Sequence, residues 1–138
     1  MRLLVDTNIL ISAALFPDSI SARAFTKAVT PPHSAVVCGY SLDEMRRVYK
    51  RKFLHKLQDL ERFISALMLA VELVPTPAQE ESVAGESAIR DVNDRPIFRA
   101  AVAAQVDAIL TGDKDFLESG IAKPQSLTAA EFVRMDYA

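Results

Sequence analysis

One cysteine and two histidines leave this 138-residue sequence without the groups that build disulfide and soft-metal frameworks. Cys38 alone cannot form an internal disulfide, and no C-x-x-C pair or histidine cluster supplies a zinc-type ligand set. The plain expectation for Cys38 is a buried strand position. Long apolar runs are missing as well. The most apolar stretch, 63–74, is too short to span a bilayer and is broken by Glu72, so a soluble, cytoplasmic protein with no membrane association is expected. Also absent are a Walker A sequence, a G-x-G-x-x-G turn and a G-x-S-x-G elbow, which removes the hardware of nucleotide binding and of serine hydrolysis.

What is present is a chain that is 50% apolar, long enough to bury one core, with nothing to suggest a second domain; residues 1–138 are expected to form one unit. Short apolar runs at Arg2 to Val5, Ala35 to Cys38, Val71 to Val74 and Ala108 to Leu110 read as strands. Helical patterns lie between them: Asn8 to Leu15, Ser21 to Val29, Leu42 to Lys52, Lys56 to Ala70 and Asp94 to Gln105. Strands that are continuously apolar and alternate with helices imply an α/β fold, a parallel sheet covered on both faces. The polar, proline-containing stretch from Pro75 to Ser87 reads as a surface connection.

Four acids fall on element boundaries. Asp6 closes the first strand, Asp113 follows the Ala108 run, and Glu44 and Asp94 open predicted helices. Each has a plainer reading. Asp6, Asp94 and Asp113 are all placed to cap helices, and Ser41-Leu-Asp-Glu44 fits a capping box in which the glutamate folds back onto the cap. Capping explains each acid separately. It explains less well why four boundaries use carboxylates where Ser, Thr or Asn would serve. Carboxylates without His or Cys partners suit a hard cation, Mg²⁺ or Mn²⁺, and in an open parallel sheet ligands sit beyond the carboxyl ends of the strands.

Charge is unevenly spread. Net charge is −2, yet residues 46–56 hold six of the sixteen Lys and Arg and no acid, leaving ten against eighteen acids elsewhere. The run is either a solvated helix face or a phosphate-contacting stripe beside an acidic pocket, with Arg46, Arg47, Lys50 and Arg51 as the side chains that would meet the phosphates.

Asp6-Thr-Asn8-Ile-Leu-Ile-Ser12, the Glu44 helix running into Arg51-Lys-Phe53, Asp94-Arg-Pro-Ile97 and Thr111-Gly-Asp113-Lys-Asp115-Phe-Leu117 together resemble the PIN domain, closest to its VapC-like toxin group. The resemblance runs through essentially the whole chain in the expected order. It implies a three-layer α/β/α fold with a five-stranded parallel sheet in order 3-2-1-4-5. It places Asp6, Glu44, Asp94 and Asp113 on the family's acidic quartet, as catalytic and metal-binding residues, with Asp91 and Asp115 as neighbours and Asn8 and Thr111 as auxiliary polar groups. It implies a Mg²⁺- or Mn²⁺-dependent endoribonuclease, the toxin of a toxin–antitoxin system, with an antitoxin protein as partner. The apolar face Phe63, Leu67 and Ala70 with Ile64 and Val71 adds the expectation of a homodimer. A competing reading is a non-catalytic PIN-like protein-interaction module. An aspartyl-phosphate enzyme is disfavoured because Asp6-Thr-Asn8 lacks the second acid of a D-x-D pattern.

Overall fold

The four apolar runs become strands, and a fifth strand joins them. In a computed structural model, which describes residues 1–135, β1 (Arg2–Val5), β2 (Ser34–Cys38), β3 (Glu72–Val74), β4 (Ala108–Leu110) and β5 (Gln125–Leu127) form one sheet in the order β3-β2-β1-β4-β5. Every pairing is parallel. Residues 136–138, the end of the expected unit, lie outside the described residues. Seven helices connect and flank the strands: α1 (Thr7–Leu15), α2 (Ile20–Ala28), α3 (Gly39–Lys52), α4 (Leu57–Ala70), α5 (Arg95–Ala103), α6 (Lys114–Leu117) and α7 (Ala129–Arg134). None of them is long and apolar enough to cross a membrane.

Strand side chains alternate between two buried layers, which is why the sequence shows unbroken apolar runs rather than a period of two. Leu3, Val5, Ala35, Val37, Ala108 and Leu110 pack with α1, α2, α3, α4 and α7. Leu4, Val36, Cys38 and Ile109 pack on the other face with Ile97, Phe98 and Ala101 of α5 and Phe116 of α6. Each such aliphatic side chain contributes about 1.5–3 kcal/mol by leaving water. Cys38 is buried as expected.

Helix α3 begins at Gly39, three residues before the expected start, and this overturns the capping-box reading of Glu44. Cys38 is the cap residue and makes no side-chain cap bond. Ser41 is fully buried within the first turn, its hydroxyl 3.6 Å from the Cys38 sulfur. A first-turn amide is satisfied from a distance instead: Tyr40 N–H donates to Thr76 Oγ1 at 3.0 Å, just beyond β3. A long-range cap has replaced the local one, and the Glu44 carboxylate is left for another role.

Other differences have local causes. A 3-10 turn at Val92–Asp94 precedes α5, which ends at Ala103 shortly before Gln105 takes a left-handed φ of 56°. The β5 segment Gln-Ser-Leu has no apolar run to betray it, since only Leu127 is buried. The capping box that does form is Thr128 with Glu131 at the start of α7. On α4, Ile64 and Leu67 are buried in the chain's own core, and Phe63 packs its ring 6.3 Å from that of Phe25. Most of the apolar surplus from which a dimer was expected is therefore covered within the chain.

Candidate active site

Strand β1 is the switch point of the sheet: the chain leaves it toward β2 on one side and returns to β4 on the other, so the carboxyl ends of β1 and β4 lie side by side. Val5 is in register with Leu110, and Asp6 N–H donates to the Leu110 carbonyl at 2.9 Å. The residues that follow these two strands are Asp6 and Thr111-Gly-Asp113. They are held together by one hydroxyl. Thr111 Oγ1 donates to Asp6 Oδ2 at 2.7 Å and accepts the Asp113 N–H at 3.0 Å.

Asp6 and Asp113 cap helices and line the site as well. Asp6 Oδ1 accepts from Thr7 N–H at 2.7 Å at the start of α1, and Asp113 Oδ1 accepts from Asp115 N–H at 2.8 Å at the start of α6. Glu44, one turn into α3, and Asp94, in the last residue of the 3-10 turn before α5, complete the walls. All four acids line a single pocket of about 160 Å³ together with Thr7, Asn8, Ile11 and Val48. Ile11 and Val48 were not anticipated; Val48 sits four residues after Glu44, on the same face of α3. Among the described residues, no lysine or arginine lines the pocket.

The electrostatic consequence is crowding. Asp6 is 4% exposed, and burial pushes its carboxyl up to about 6; the Thr111 and Thr7 hydrogen bonds oppose that rise, and Glu44 and Asp113 add to it. Asp94 is raised further, to about 8, by burial first and then by Asp113, Asp6 and Asp91. Its Oδ2 is enclosed with no hydrogen-bond donor in reach. An orphaned buried carboxylate oxygen, two acids whose ionisation the metal-free fold disfavours and a cation would restore, and an oxygen-only donor set fit a hard divalent cation.

The auxiliary residues divide. Thr111 is buried and bonded to both loops, whereas Asn8 is exposed and offers its Oδ1 to Gly112 N–H at 3.5 Å, the limit of a hydrogen bond. Asp91 is exposed, its Oδ1 accepting Asn93 N–H at 2.9 Å. Asp91, Asp94 and Asp115 each place an oxygen within 4.8 Å of the others, a second grouping that shares Asp94 with the pocket. There Asp115 is already paired with Arg90 Nε at 3.0 Å, an arrangement with no signal in the sequence.

Of the basic run, Arg46 is committed elsewhere. Its Nε and Nη2 each meet a Glu61 oxygen of α4 at 3.1 Å. Arg47, Lys50 and Arg51 are exposed, and the Arg47 guanidinium lies 5.5 Å from the centre of the Tyr40 ring. Helical spacing puts Arg47 and Arg51 on the side of α3 that carries Glu44 and puts Arg46 on the other.

Replacing Thr111 by Val should strand Asp6 Oδ2 and free the Asp113 loop. The expected loss is about 1–3 kcal/mol of stability together with weaker metal binding, checked by thermal melting with and without Mn²⁺. Thr111→Ser, which keeps the hydroxyl, should recover both.

A carboxylate-lined pocket at the switch point of an all-parallel, five-stranded sheet defines the class: an α/β protein whose site is suited to a hard cation. The chain belongs to the PIN-domain family, whose model matches residues 2–115. Two solved structures share the fold. A chain of VapBC2 from Rickettsia felis, crystallised with a DNA fragment from its promoter, superposes with a TM-score of 0.69 over 93% of this chain and 98% of that one, at 14% identity. VapC20 of Mycobacterium tuberculosis, a sarcin-ricin-loop-cleaving toxin, superposes with a TM-score of 0.65 over 88% of this chain and 97% of that one, at 18% identity. No curated protein matches the sequence significantly.

Proposed function

We propose that this PIN domain is a Mg²⁺- or Mn²⁺-dependent endoribonuclease and the toxin of a toxin–antitoxin pair. The observation that carries the reading is the convergence of four carboxylates on one pocket, Asp6, Asp94 and Asp113 from the starts of three helices and Glu44 from within α3, with no basic side chain among the described residues that line it. Asp6, Asp94 and Asp113 hold the cation. The inner pocket is preferred over the Asp91–Asp94–Asp115 grouping because it gathers Asp6, Glu44 and Asp113 around Asp94 with no cation among the described residues paired to any of them, whereas Arg90 already neutralises Asp115 and Asp91 stands in solvent. The cation, when bound, supplies charge stabilisation at the phosphoryl oxygens and a more acidic water.

The chain's own residues do the rest. Thr111 fixes the Asp6 carboxylate in orientation, and the cap bonds of Asp6 and Asp113 anchor both to helix starts, so the ligands are preorganised. Glu44, from the opposite wall, accepts a hydrogen bond from the attacking water or helps to hold a second ion. Arg47, Lys50 and Arg51 lead the RNA backbone toward the pocket. The toxin assignment rests on the likeness to the VapC fold and the VapBC2 chain. An antitoxin that silences the enzyme would set an Arg or Lys in the place of the cation. The expectation of a homodimer in the cytoplasm rests on the family resemblance, since most of the α4 apolar face is covered within the chain, and a monomeric mass by light scattering at micromolar concentration would refute the dimer.

The test separates the two roles of charge. Arg47→Ala and Arg51→Ala should each weaken RNA binding and reduce its salt dependence by about one slope unit, leaving single-turnover cleavage at saturating RNA nearly unchanged. Glu44→Gln should lower that rate with RNA affinity held or improved. Equal effects of all three changes on rate and affinity would make α3 merely structural. Co-expression with the product of an adjacent reading frame should relieve toxicity if the toxin reading holds, and unrelieved toxicity or its absence from the start would count against it.

A further inference from the structure

The acidic pocket, at about 160 Å³, has room for a hydrated cation and a phosphoryl group but not for a nucleotide. A second cavity, of about 610 Å³, lies directly beside it between the start of α3, the 75–79 segment and the start of α5. The two share a wall of consecutive residues: Asp94 faces the acidic pocket, while Asn93 and Arg95 line the larger groove. Tyr40 also lines the groove and lies within the electrostatic influence of Glu44, Asp94 and Asp91.

The groove is a built structure. Arg99 at its base is 5% exposed, its Nη1 donates to the Pro77 carbonyl at 2.9 Å, and its Nε lies 3.3 Å from Glu86 Oε2. Glu86 Oε2 in turn accepts the Val83 N–H at 2.9 Å. A buried ion pair adds little net stability, because desolvation of both charges offsets their attraction. Here it fixes the 75–86 segment against α5 and so holds the groove open. Arg95 Nε donates to the Ile89 carbonyl at 3.0 Å, which anchors that guanidinium at the rim. The walls thus offer an aromatic ring, the amides of Asn93 and Gln79 and an anchored cation set among the apolar Pro77, Val92 and Pro96, a mixture that can take the flat face of a base together with its phosphate.

We propose that this groove seats the nucleotide next to the cleaved phosphodiester, with Tyr40 stacking on the base, Asn93 and Gln79 reading its edge, and Arg95 meeting the adjoining phosphate. The assignment rests on the ribonuclease reading and deepens it: base preference would be set by the groove and not by the acids.

The experiment uses the full chain carrying Asp113→Asn, so that RNA is bound but not cut, and measures fluorescence anisotropy with labelled rA, rC and rU homopolymers in the presence of Mn²⁺. Tyr40→Leu should weaken binding about tenfold, the worth of one stacked base. Asn93→Ala and Gln79→Ala, at exposed positions where folding is not at stake, should change the order of preference among the three polymers. Unchanged affinity and unchanged order in the Asn93 and Gln79 variants would overturn the proposal and leave the groove to a protein ligand. Failure of the parent protein to bind any RNA would instead overturn the ribonuclease reading on which it stands.

Discussion

Replacing Asp113 by Asn should lower single-turnover RNA cleavage about a thousandfold, the several kcal/mol that a correctly held cation supplies in the transition state. Asp6→Asn should do the same. Asp113→Asn should not destabilise the metal-free fold, because Asp113 sits among like charges; Asp6→Asn gains the same relief of crowding but loses the Thr111 hydroxyl bond to Oδ2, so its stability change should be small in either direction. An asparagine oxygen still accepts the Thr7 or Asp115 amide at the respective helix cap, so the capping role survives. Thermal melting beside the rate measurement checks this. A large stability loss with cleavage retained would mean that these aspartates are caps and nothing more.

Chelation is expected to have an effect as large, and pH gives it a sign. Asp6 and Asp94 are raised to about 6 and about 8 from an ordinary 3.8. Groups raised in this way contribute stability that is full below about pH 4 and is lost as pH climbs through 6 and then 8. In EDTA the melting temperature should therefore fall between pH 5 and 8.5. The fall is cleanest well above pH 6.5, where His33, lowered by burial and opposite in sign, has lost its proton in both states and Glu61, Glu72 and Glu131, whose carboxyls are lowered, are already ionised. Mn²⁺ binds the ionised acids and reverses the trend, so the gap between metal-loaded and chelated protein should widen as pH rises. Asp94→Asn should flatten the chelated curve. A gap that narrows toward high pH would contradict the assignment of the ligands.

The sheet was legible because its strands are buried on both faces: Leu3-Leu-Val and Ala108-Ile-Leu could hardly be anything else. Strand β5 was not readable from its own residues and came only with the family resemblance, since an edge strand of Gln-Ser-Leu needs one buried side chain and borrows its pairing from β4. Asp6 and Asp113 were visible as acids closing strands, but sequence alone could not show that one hydroxyl, Thr111, would bind both loops. Glu44 was hidden behind a plausible local motif. The deciding interaction, Thr76 to Tyr40, spans 36 positions in the chain and lies beyond any window of local pattern. Arg99 and Glu86 went unnoticed for the same reason, as charged residues are expected on surfaces and this pair is buried only by tertiary packing.

The central claim is that the carboxylate pocket cuts RNA with a divalent cation, and it can be tested without knowing the target. Purified protein is incubated with total cellular RNA in Mg²⁺ or Mn²⁺, in EDTA, and as the Asp113→Asn variant, and all new 5′ ends are mapped by sequencing. New ends produced only by the unaltered protein with its cation are the predicted result. The same ends arising in EDTA or from Asp113→Asn, or no new ends in any condition, would contradict it.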